Sequence, residues 1–375
     1  MKVSFKQFGC LSHSWSQVST SIARSFKKQN IDIHYCSTNG YEYFPEDMME
    51  NIKCKECFTN GPKLDGCKLD RDYDLGMAYT IPLHWGEYTF AAKKKFVIYN
   101  YDGDVLPAGW SKFHNQVNLI LPSSEYSRNT FIKAGIPESK LITVSHGYDD
   151  EFINRKEVYK IKSDKKYKVL VNIQQPHLRK NIIGLLKAWF EAFDDKDDIC
   201  LVAKVRPRKE SHINELSFMD ELNKLKKNKK NHAEIVVINE FIPYISDLYR
   251  AIDVCFSLSH IECFHLPSLQ ALVSEKINIC SAKGGNADFC NENNSLMVSG
   301  EIKRAPKEMF YWQPSIYGTA FYPNINEAAE KLIYAYKNYN QLKQQFKSGF
   351  DHIKENYSWD KIGNKILSLY NEYGI

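Results

Sequence analysis

The chain has 375 residues, of which 43% are apolar and 25% charged, and its formal net charge is +5. This is the composition of a globular protein, and the length predicts two domains rather than one. The small net charge argues against a dedicated nucleic-acid binder, which would carry a denser basic stripe, and no apolar run approaches the ~20 residues that span a bilayer.

The first half of the chain alternates short β-rich segments with helical ones, the order typical of a parallel α/β sheet. In chain order the pattern predicts strands at residues 2–8, 31–36, 75–79, 96–101, 117–122 and 141–145, with helices at about 16–28 and from residue 124. Because the chain begins at once with a strand and lacks the apolar core of a signal peptide, we expect a cytoplasmic protein.

Residues 39–72 form an irregular stretch that contains Cys54, Cys57 and Cys67. Three thiolates and a fourth ligand from elsewhere could hold a structural zinc ion. The second half of a zinc-ribbon spacing is absent, however, and scattered cysteines in a reducing compartment are expected to be thiols. We therefore predict no metal, with zinc at these three cysteines as the alternative.

The second half of the chain repeats the same rhythm after a charged stretch at residues 155–168, which has the character of a linker. Strands are predicted at residues 168–173, 199–205, 235–239, 254–258 and 277–280, and residues 326–370 are predicted to be largely helical. Two successive α/β sheets place a ligand at the carboxyl ends of their strands, in a crevice between two lobes.

The most informative segment is residues 257–271, SLSHIECFHLPSLQA, which follows a predicted strand and begins a helix. Its backbone N–H groups near Phe264–Leu266 could face an anion at the helix N-terminus. Glu262 stands at the start of this turn and Gln270 lies two turns into the helix, so an acid and an amide could together hold sugar hydroxyls. From the residues alone, a solvated loop acid and a surface glutamine are an equal alternative.

This segment resembles the S-x-x-E-G-F-G-L-P-x-x-E-A signature of the retaining GT-B glycosyltransferases of family four, also called glycosyl transferases group 1. Glu262 takes the place of the first acid of the E-x7-E motif, and Gln270 that of the second. Residues 284–289 are similar to the family's G-G-x-x-E loop, Arg179-Lys180-Asn181 to its R-K-N turn, and residues 357–359 to the Y-S-W before its last helix.

The resemblance implies an α/β protein with two Rossmann-like lobes. Residues 1–155 would form the acceptor-side lobe, residues 156–350 the donor lobe, and residues 351–375 a helix that crosses back to the first lobe. The donor-binding residues that it implies are Arg179, Lys180, Glu262, Phe264, His265, Leu266 and Gln270.

The implied activity is transfer of a hexose-like sugar, with retention, from a UDP- or GDP-linked donor to an acceptor hydroxyl. Arg179 and Lys180 would neutralise the diphosphate, which gains negative charge as the glycosidic bond breaks. Glu262 would orient the sugar. The departing phosphate oxygen can itself help deprotonate the acceptor, so we expect neither a protein nucleophile nor a metal or other cofactor.

On the acceptor side, Asp102 and Asp104 follow a predicted strand and could bind acceptor hydroxyls or assist proton transfer. We count Asp102 with Glu262 and Lys180 as a catalytic candidate, although a turn built by Asp-Gly explains the segment equally well. Gly9, Ser12 and His13, in the loop after the first strand, are the other acceptor-side candidates.

Two other functions remain open. Cys263 and His265 replace the two glycines of the family signature, which changes how closely the backbone approaches the donor and makes a non-catalytic sugar- or nucleotide-binding module the first alternative. The second is a glycosyltransferase that modifies hydroxylated bases in DNA, with the lysine runs at 93–95 and 224–230 facing the duplex. The acceptor is accordingly a glycan, a lipid, a protein or a modified DNA base.

Overall fold

The structure is a computed structural model that describes residues 1–7, 14–37, 48, 72–89, 92–206, 216–229, 231–310, 312, 314 and 316–373. The chain divides into two compact units. The first unit comprises Met1–Tyr101, Val105–Asp149 and Tyr357–Ile375, and the second comprises Asp102–Asp104 and Asp150–Asn356.

Strands and helices alternate along both units. In chain order the strands are β1 Lys2–Gln7, β2 Asp32–Ser37, β3 Tyr73–Tyr79, β4 Ala92–Ile98, β5 Leu119–Leu121, β6 Tyr167–Gln174, β7 Ile199–Val205, β8 Glu234–Ile238, β9 Val254–Ser257, β10 Ile277–Ser281, β11 Ser295–Val298, β12 Gly300–Arg304 and β13 Thr319–Pro323. The α-helices are α1 Ser14–Lys28, α2 Trp85–Thr89, α3 Glu125–Lys133, α4 Glu151–Asn154, α5 Ile182–Ala192, α6 Phe218–Asn228, α7 Ile245–Arg250, α8 Leu266–Val273, α9 Ile325–Lys337, α10 Tyr339–Gln345, α11 Lys347–Asn356 and α12 Trp359–Glu372.

The first unit is built on a five-stranded parallel sheet in the order β2-β1-β3-β4-β5. Its core includes large aromatic side chains, among them Trp85, Tyr99 and Trp110. Helix α12 returns the end of the chain to this unit and packs on α1, where a Cβ at Gly363 would collide with the Ser25 hydroxyl. Lys28 and Asp360 join the two helices by a surface ion pair of 3.0 Å.

The second unit contains a six-stranded parallel sheet in the order β11-β10-β9-β6-β7-β8 and a separate antiparallel pair, β12-β13. Every residue of β7 is buried, as expected for an inner strand of a sheet that is covered on both faces. Two parallel sheets with their helices confirm the predicted α/β fold class. None of the helices in the described ranges is long and apolar enough to cross a membrane.

Two predicted strands need correction, and one hairpin was missed. Residues 141–145 do not form a strand, because Leu141 makes only an isolated bridge to Ile120 at the edge of the sheet. Strand β4 occupies Ala92–Ile98 rather than residues 96–101. Its pairing with β3 already begins at Ala92, before the three lysines at 93–95. The hairpin of β12 and β13 was not predicted, and all five residues of β12 are exposed, so no alternation of apolar and polar residues marks it.

Candidate active site

The candidate site lies in the second unit, where two neighbouring parallel strands end. Strands β6 and β9 pair with Val169 opposite Val254, so their carboxyl ends meet at the same edge of the sheet. The turn Leu178–Lys180 follows β6, and the residues from Leu258 to His265 follow β9 and lead into α8. The segments that carry the two motifs of the sequence therefore come together.

Asn181 fixes the first of these two segments. It adopts the left-handed conformation with φ 51°, which asparagine tolerates better than most residues, and its Oδ1 accepts the Gly184 N–H at 3.1 Å as the N-cap of α5. Its Nδ2 donates to the Leu258 carbonyl at 3.0 Å, and the His260 N–H donates to the Arg179 carbonyl at 2.7 Å. These bonds hold the two loops side by side.

Glu262 lies at the centre of a polar cluster that it forms with Asp102, Arg179, Lys180 and Ser259. Its Oε1 accepts hydrogen bonds from the Lys180 ammonium and from the Ser259 hydroxyl, the latter at 2.9 Å, and it lies 3.1 Å from Arg179 Nη1. Arg179 Nη1 also donates to the Ile261 carbonyl at 3.1 Å. None of these contacts goes to Oε2, which receives no hydrogen bond from the residues that the structure describes and remains an acceptor for a ligand.

Asp102 belongs to the same cluster. Its Oδ2 lies 3.1 Å from Arg179 Nη2, and its Oδ1 accepts the Cys263 N–H at 3.0 Å. Both oxygens are thus engaged by protein groups of the second unit. Asp104 lies apart from the cluster, since its carboxylate accepts the N–H and the hydroxyl of Thr319, at 2.9 and 2.7 Å, and anchors the start of β13.

The cluster keeps its charges although it is buried. Burial alone raises the pKa of the Glu262 carboxyl, but Lys180 and Arg179 outweigh burial and hold this pKa below its usual range. Burial lowers the pKa of Arg179, yet Asp102 and Glu262 reverse this and raise it. For Lys180, burial and repulsion by Arg179 prevail and lower its pKa, so Lys180 holds its proton least firmly of the two cations.

Two cations face two carboxylates here, so the cluster is formally neutral. The sequence predicted Arg179 and Lys180 as cations available to a diphosphate, whereas the structure pairs each of them with an acid. An incoming diphosphate would therefore share or replace carboxylate contacts rather than meet unpaired positive charge.

The Gly284–Gly285 loop packs directly on the Glu262 segment. The Gly285 N–H donates to the Glu262 carbonyl at 2.8 Å, and a Cβ at Gly285 would overlap the carbonyl group of Cys263. Gly284 has φ +125°, a conformation that favours glycine. Both glycines are therefore needed for the close approach of the two loops.

The other predicted donor-site residues differ in placement. Phe264 is buried in the core against Phe289, with ring centroids 5.0 Å apart, so its side chain is not available to a ligand. Leu266 and Gln270 are half-buried on α8. His265 is buried at the N-cap of α8 with φ 79°, and burial lowers the pKa of its imidazole to about 4.

Several predicted features fall outside this cluster. Gly9, Ser12 and His13 lie outside the described residues, as do Cys54, Cys57 and Cys67. Within the described part of the chain, no group of three or more His, Cys, Asp or Glu side chains is placed to hold a metal ion. From the two lysine runs, Lys93 pairs with Asp74 and Lys224 with Glu221 at the surface.

Sequence reasoning missed the polar residues that support the site. Ser259 donates to Glu262, and Ser268 and Asn278 form buried hydrogen bonds beside His265. A usable signal existed for Asn278, which is a polar residue between Ile277 and Ile279 in the buried strand β10 and must satisfy its amide within the core. Ser259 stands at the serine of the S-x-x-E signature, three residues before Glu262, whereas no comparable signal marks Ser268.

Comparisons with known proteins identify the fold. No protein-family model matches the chain. A curated relative, "Uncharacterized protein 356" of Sulfolobus islandicus rod-shaped virus 1, is 23% identical over 268 residues, which cover 69% of this chain and 71% of that protein.

Solved glycosyltransferase structures match nearly the whole chain. A glycosyltransferase from Rickettsia africae is 15% identical with a TM-score of 0.69, covering 99% of this chain and 98% of that one. Anabaena Alr3699/HepE, in complex with UDP and glucose, is 12% identical with a TM-score of 0.71, covering 99% and 100%. Sucrose-phosphate synthase from Thermosynechococcus elongatus is 11% identical with a TM-score of 0.67, covering 98% of each chain. The chain thus has the GT-B glycosyltransferase fold.

Proposed function

We propose that this chain is a glycosyltransferase that moves a sugar from a nucleoside-diphosphate donor to an acceptor hydroxyl, with retention and without a metal. One observation carries the proposal. Arg179, Lys180 and Glu262 converge at the carboxyl ends of two adjacent strands, in a fold shared with enzymes such as HepE, whose structure holds UDP and glucose. We assign the second unit to the donor and the first unit to the acceptor.

The two cations suit the leaving group. As the bond between the anomeric carbon and the phosphate oxygen breaks, the nucleoside diphosphate gains negative charge. Arg179 offers a planar fork of donors. Lys180 offers a compact ammonium, whose side-chain hydrogen bond to the described residues goes to Glu262 alone. Because Lys180 holds its proton least firmly in the resting site, approach of a diphosphate would strengthen its charged state.

Glu262 suits the sugar. Its Oε1 is held by Lys180, Arg179 and Ser259, which fixes the carboxylate, while Oε2 is an acceptor without a hydrogen bond from the described residues. A fixed ionised acceptor of this kind binds hydroxyl donors. In this proposal the departing phosphate oxygen takes the acceptor proton, and Glu262 orients the sugar rather than attacking it.

Asp102 is assigned a positioning role. Its two oxygens hold the Arg179 guanidinium and the Cys263 N–H, so it fixes both the cation and the loop that carries Glu262. A residue engaged on both oxygens in the resting state acts on the chemistry through Arg179. This positioning role is distinct from that of a general base, and the Asp102→Asn variant separates the two.

The first test is a thermal-shift screen of the purified protein with UDP, GDP, ADP and their common sugar derivatives, each with and without a divalent cation. A ligand at a hundredfold excess over its Kd stabilises the native state by about 2.7 kcal/mol. We expect a shift with one nucleotide family that is equal in the presence and absence of the cation. The screen is followed by release of the nucleoside diphosphate from the donor so identified.

Two results would contradict the proposal. No shift with any nucleotide would exclude the second unit as a nucleotide site. A shift without any release of nucleoside diphosphate, tested with sugar, lipid, peptide and hydroxymethylated-DNA acceptors, would instead favour the non-catalytic binding module.

A further inference from the structure

A directed chain of buried hydrogen bonds begins at His265 and ends at a backbone carbonyl. The chain joins, in order, His265 Nδ1 to Ser268 Oγ at 2.7 Å, Ser268 Oγ to Asn278 Oδ1 at 3.0 Å, Asn278 Nδ2 to Ser295 Oγ at 3.0 Å, Ser295 Oγ to Asn294 Oδ1 at 2.9 Å, and Asn294 Nδ2 to the Phe289 carbonyl at 2.8 Å. All five side chains are buried, so water does not compete for these groups.

Backbone groups at the Asn294 end determine which atom donates in each hydrogen bond of this series. The Phe289 carbonyl can only accept, and the Asn291 N–H, which lies 2.9 Å from Asn294 Oδ1, can only donate. The amide of Asn294 therefore has one orientation, and its Oδ1 must receive the Ser295 hydroxyl proton. Ser295 in turn must accept from Asn278, its direct partner in the pairing of β10 with β11.

The same reasoning continues to the histidine. With Asn278 Nδ2 directed at Ser295, its Oδ1 faces Ser268 and receives the Ser268 hydroxyl proton. Ser268 has one proton, so its bond to His265 requires a proton on Nδ1. Burial lowers the pKa of His265 to about 4, so the ring is neutral near pH 7. The neutral Nδ1–H tautomer leaves a lone pair on Nε2.

Nε2 of His265 receives no hydrogen bond from the residues that the structure describes. His265 lines a shallow depression together with Ser259, Glu262, Ser281 and Asn286. The two residues with an acceptor that receives no hydrogen bond from the described residues, His265 at Nε2 and Glu262 at Oε2, thus line the same depression. A neutral lone pair does not bind a phosphate oxygen, which is itself an acceptor; it binds a group that carries a proton.

We propose that His265 Nε2 accepts a hydrogen bond from one hydroxyl of the sugar to be transferred, and that this bond selects among donor sugars. The inference rests on the proposed function, because it places the sugar beside Glu262. Ser268 and Asn278 are then positioning residues, which act by holding the imidazole in the Nδ1–H tautomer.

The first experiment examines the tautomer and needs no ligand. Protein with ¹⁵N-labelled histidine is compared by long-range ¹H–¹⁵N correlation with the His265→Asn variant, which identifies the His265 signals. We expect Nδ1 to be protonated and Nε2 unprotonated at pH 7 in the wild type. Ser268→Ala removes the acceptor of the Nδ1 proton and is expected to give a mixture of the two tautomers. The control is Ser246→Ala, which removes another buried serine hydroxyl of the second unit and should leave the spectrum of His265 unchanged. Protonated Nε2 in the wild type would overturn the proposal.

The second experiment examines the hydroxyl. Asparagine suits the left-handed backbone of residue 265 and can donate to Ser268 through its own Nδ2, so His265→Asn deletes mainly the acceptor Nε2. Binding is measured by calorimetry with UDP, with UDP-glucose, UDP-N-acetylglucosamine and GDP-mannose, and with singly deoxygenated forms of whichever sugar donor binds.

Apart from any discrimination at the hydroxyl held by Glu262, the wild type is expected to bind one deoxygenated donor about 5- to 100-fold more weakly than the parent, the effect of leaving Nε2 of His265 unpaired. His265→Asn should lose this discrimination and bind the parent nucleotide sugar more weakly, with its affinity for the bare nucleoside diphosphate unchanged. If the variant discriminates as the wild type does, the sugar contact is excluded while the proposed function stands. If no nucleotide or nucleotide sugar binds to either protein, the proposed function itself fails.

Discussion

Arg179 lies 3.1 Å from the carboxylate of Asp102, and this ion pair ties the turn after β6 to a short segment that the chain contributes from far upstream. The guanidinium simultaneously contacts Glu262 at 3.1 Å. Arg179 is therefore shared between an acid that supports the site and an acid that we assign to the sugar. Carboxylates therefore hold both cations of the site in place.

Asp102→Asn distinguishes a positioning role from acid–base catalysis. The amide oxygen still accepts the Cys263 N–H, but the charge opposite Arg179 is lost. We expect turnover to fall by no more than about tenfold, because the Arg179 guanidinium keeps its contact with Glu262 and the Cys263 N–H keeps a hydrogen-bond acceptor. A general base typically contributes 10²- to 10⁴-fold, so a loss of that size would show that Asp102 moves a proton. Asp102→Ala should cost a further ~1–3 kcal/mol of stability, measured by denaturant unfolding, since it leaves the N–H unpaired.

Lys180→Met tests the contribution of the ammonium to catalysis. Glu262 keeps Arg179 and Ser259, so the fold should persist, while the leaving diphosphate loses one cation. We expect kcat to fall by about 10²- to 10³-fold, the typical effect of removing one preorganised charge or donor. The matched control is Lys187→Met, an exposed lysine on α5 just downstream, which should leave kcat unchanged. Equal effects of the two variants would remove Lys180 from the mechanism.

Much of this site could be predicted from the sequence because its key residues lie on local signals. Arg179, Lys180 and Glu262 each follow a buried strand, and parallel strands bring their carboxyl ends to one edge of a sheet. The neighbouring positions of β6 and β9 in that sheet then suffice to bring the two motifs together. No side-chain geometry is required to reach that conclusion.

Long-range partners could not be predicted in the same way. Asp102 was expected to face an acceptor, and its contacts with Arg179 and Cys263 depend on where a loop from another part of the chain comes to lie. The path from His265 to Asn294 likewise depends on the register of β10 against β11, which apolar periodicity does not specify. Sequence patterns report burial, whereas these hydrogen bonds depend on which buried groups face one another.

Gly285→Ala tests the contact between the two loops of the site. Its Cβ would overlap the carbonyl group of Cys263, so the loops must separate and the bond from the Gly285 N–H to the Glu262 carbonyl weakens. We expect a loss of about 1–3 kcal/mol in the free energy of unfolding and weaker binding of UDP or GDP by calorimetry. Gly109→Ala is the control, because that glycine has φ +75° and open space around it, so its change strains only the backbone. The control should lower stability but leave nucleotide affinity unchanged.

The buried histidines predict how stability depends on pH. Burial lowers the pKa of His265 to about 4 and that of His146 to about 3, against 6.5 in the unfolded chain. Between these values the unfolded state binds protons that the folded state does not, so stability rises with pH. Their contribution is fully present above pH 6.5 and is lost as the pH falls, toward pH 4 for His265 and toward pH 3 for His146. Each ring accounts for up to about 2 kcal/mol at pH 5, and the effect of Glu262, whose pKa is held low, begins only below 4.5.

Comparison of the wild type with His265→Asn isolates one of these rings. Urea unfolding at pH 7 and pH 5 gives the change in the free energy of unfolding for each protein, and other titrating groups contribute equally to both. We expect the wild type to lose about 1–2 kcal/mol more than the variant on acidification, because asparagine takes no proton in the unfolded state. An equal loss in the two proteins would mean that His265 is protonated in the folded state at pH 5. Its Nε2 would then be a hydrogen-bond donor at that pH, and discrimination among deoxygenated donors should disappear on acidification.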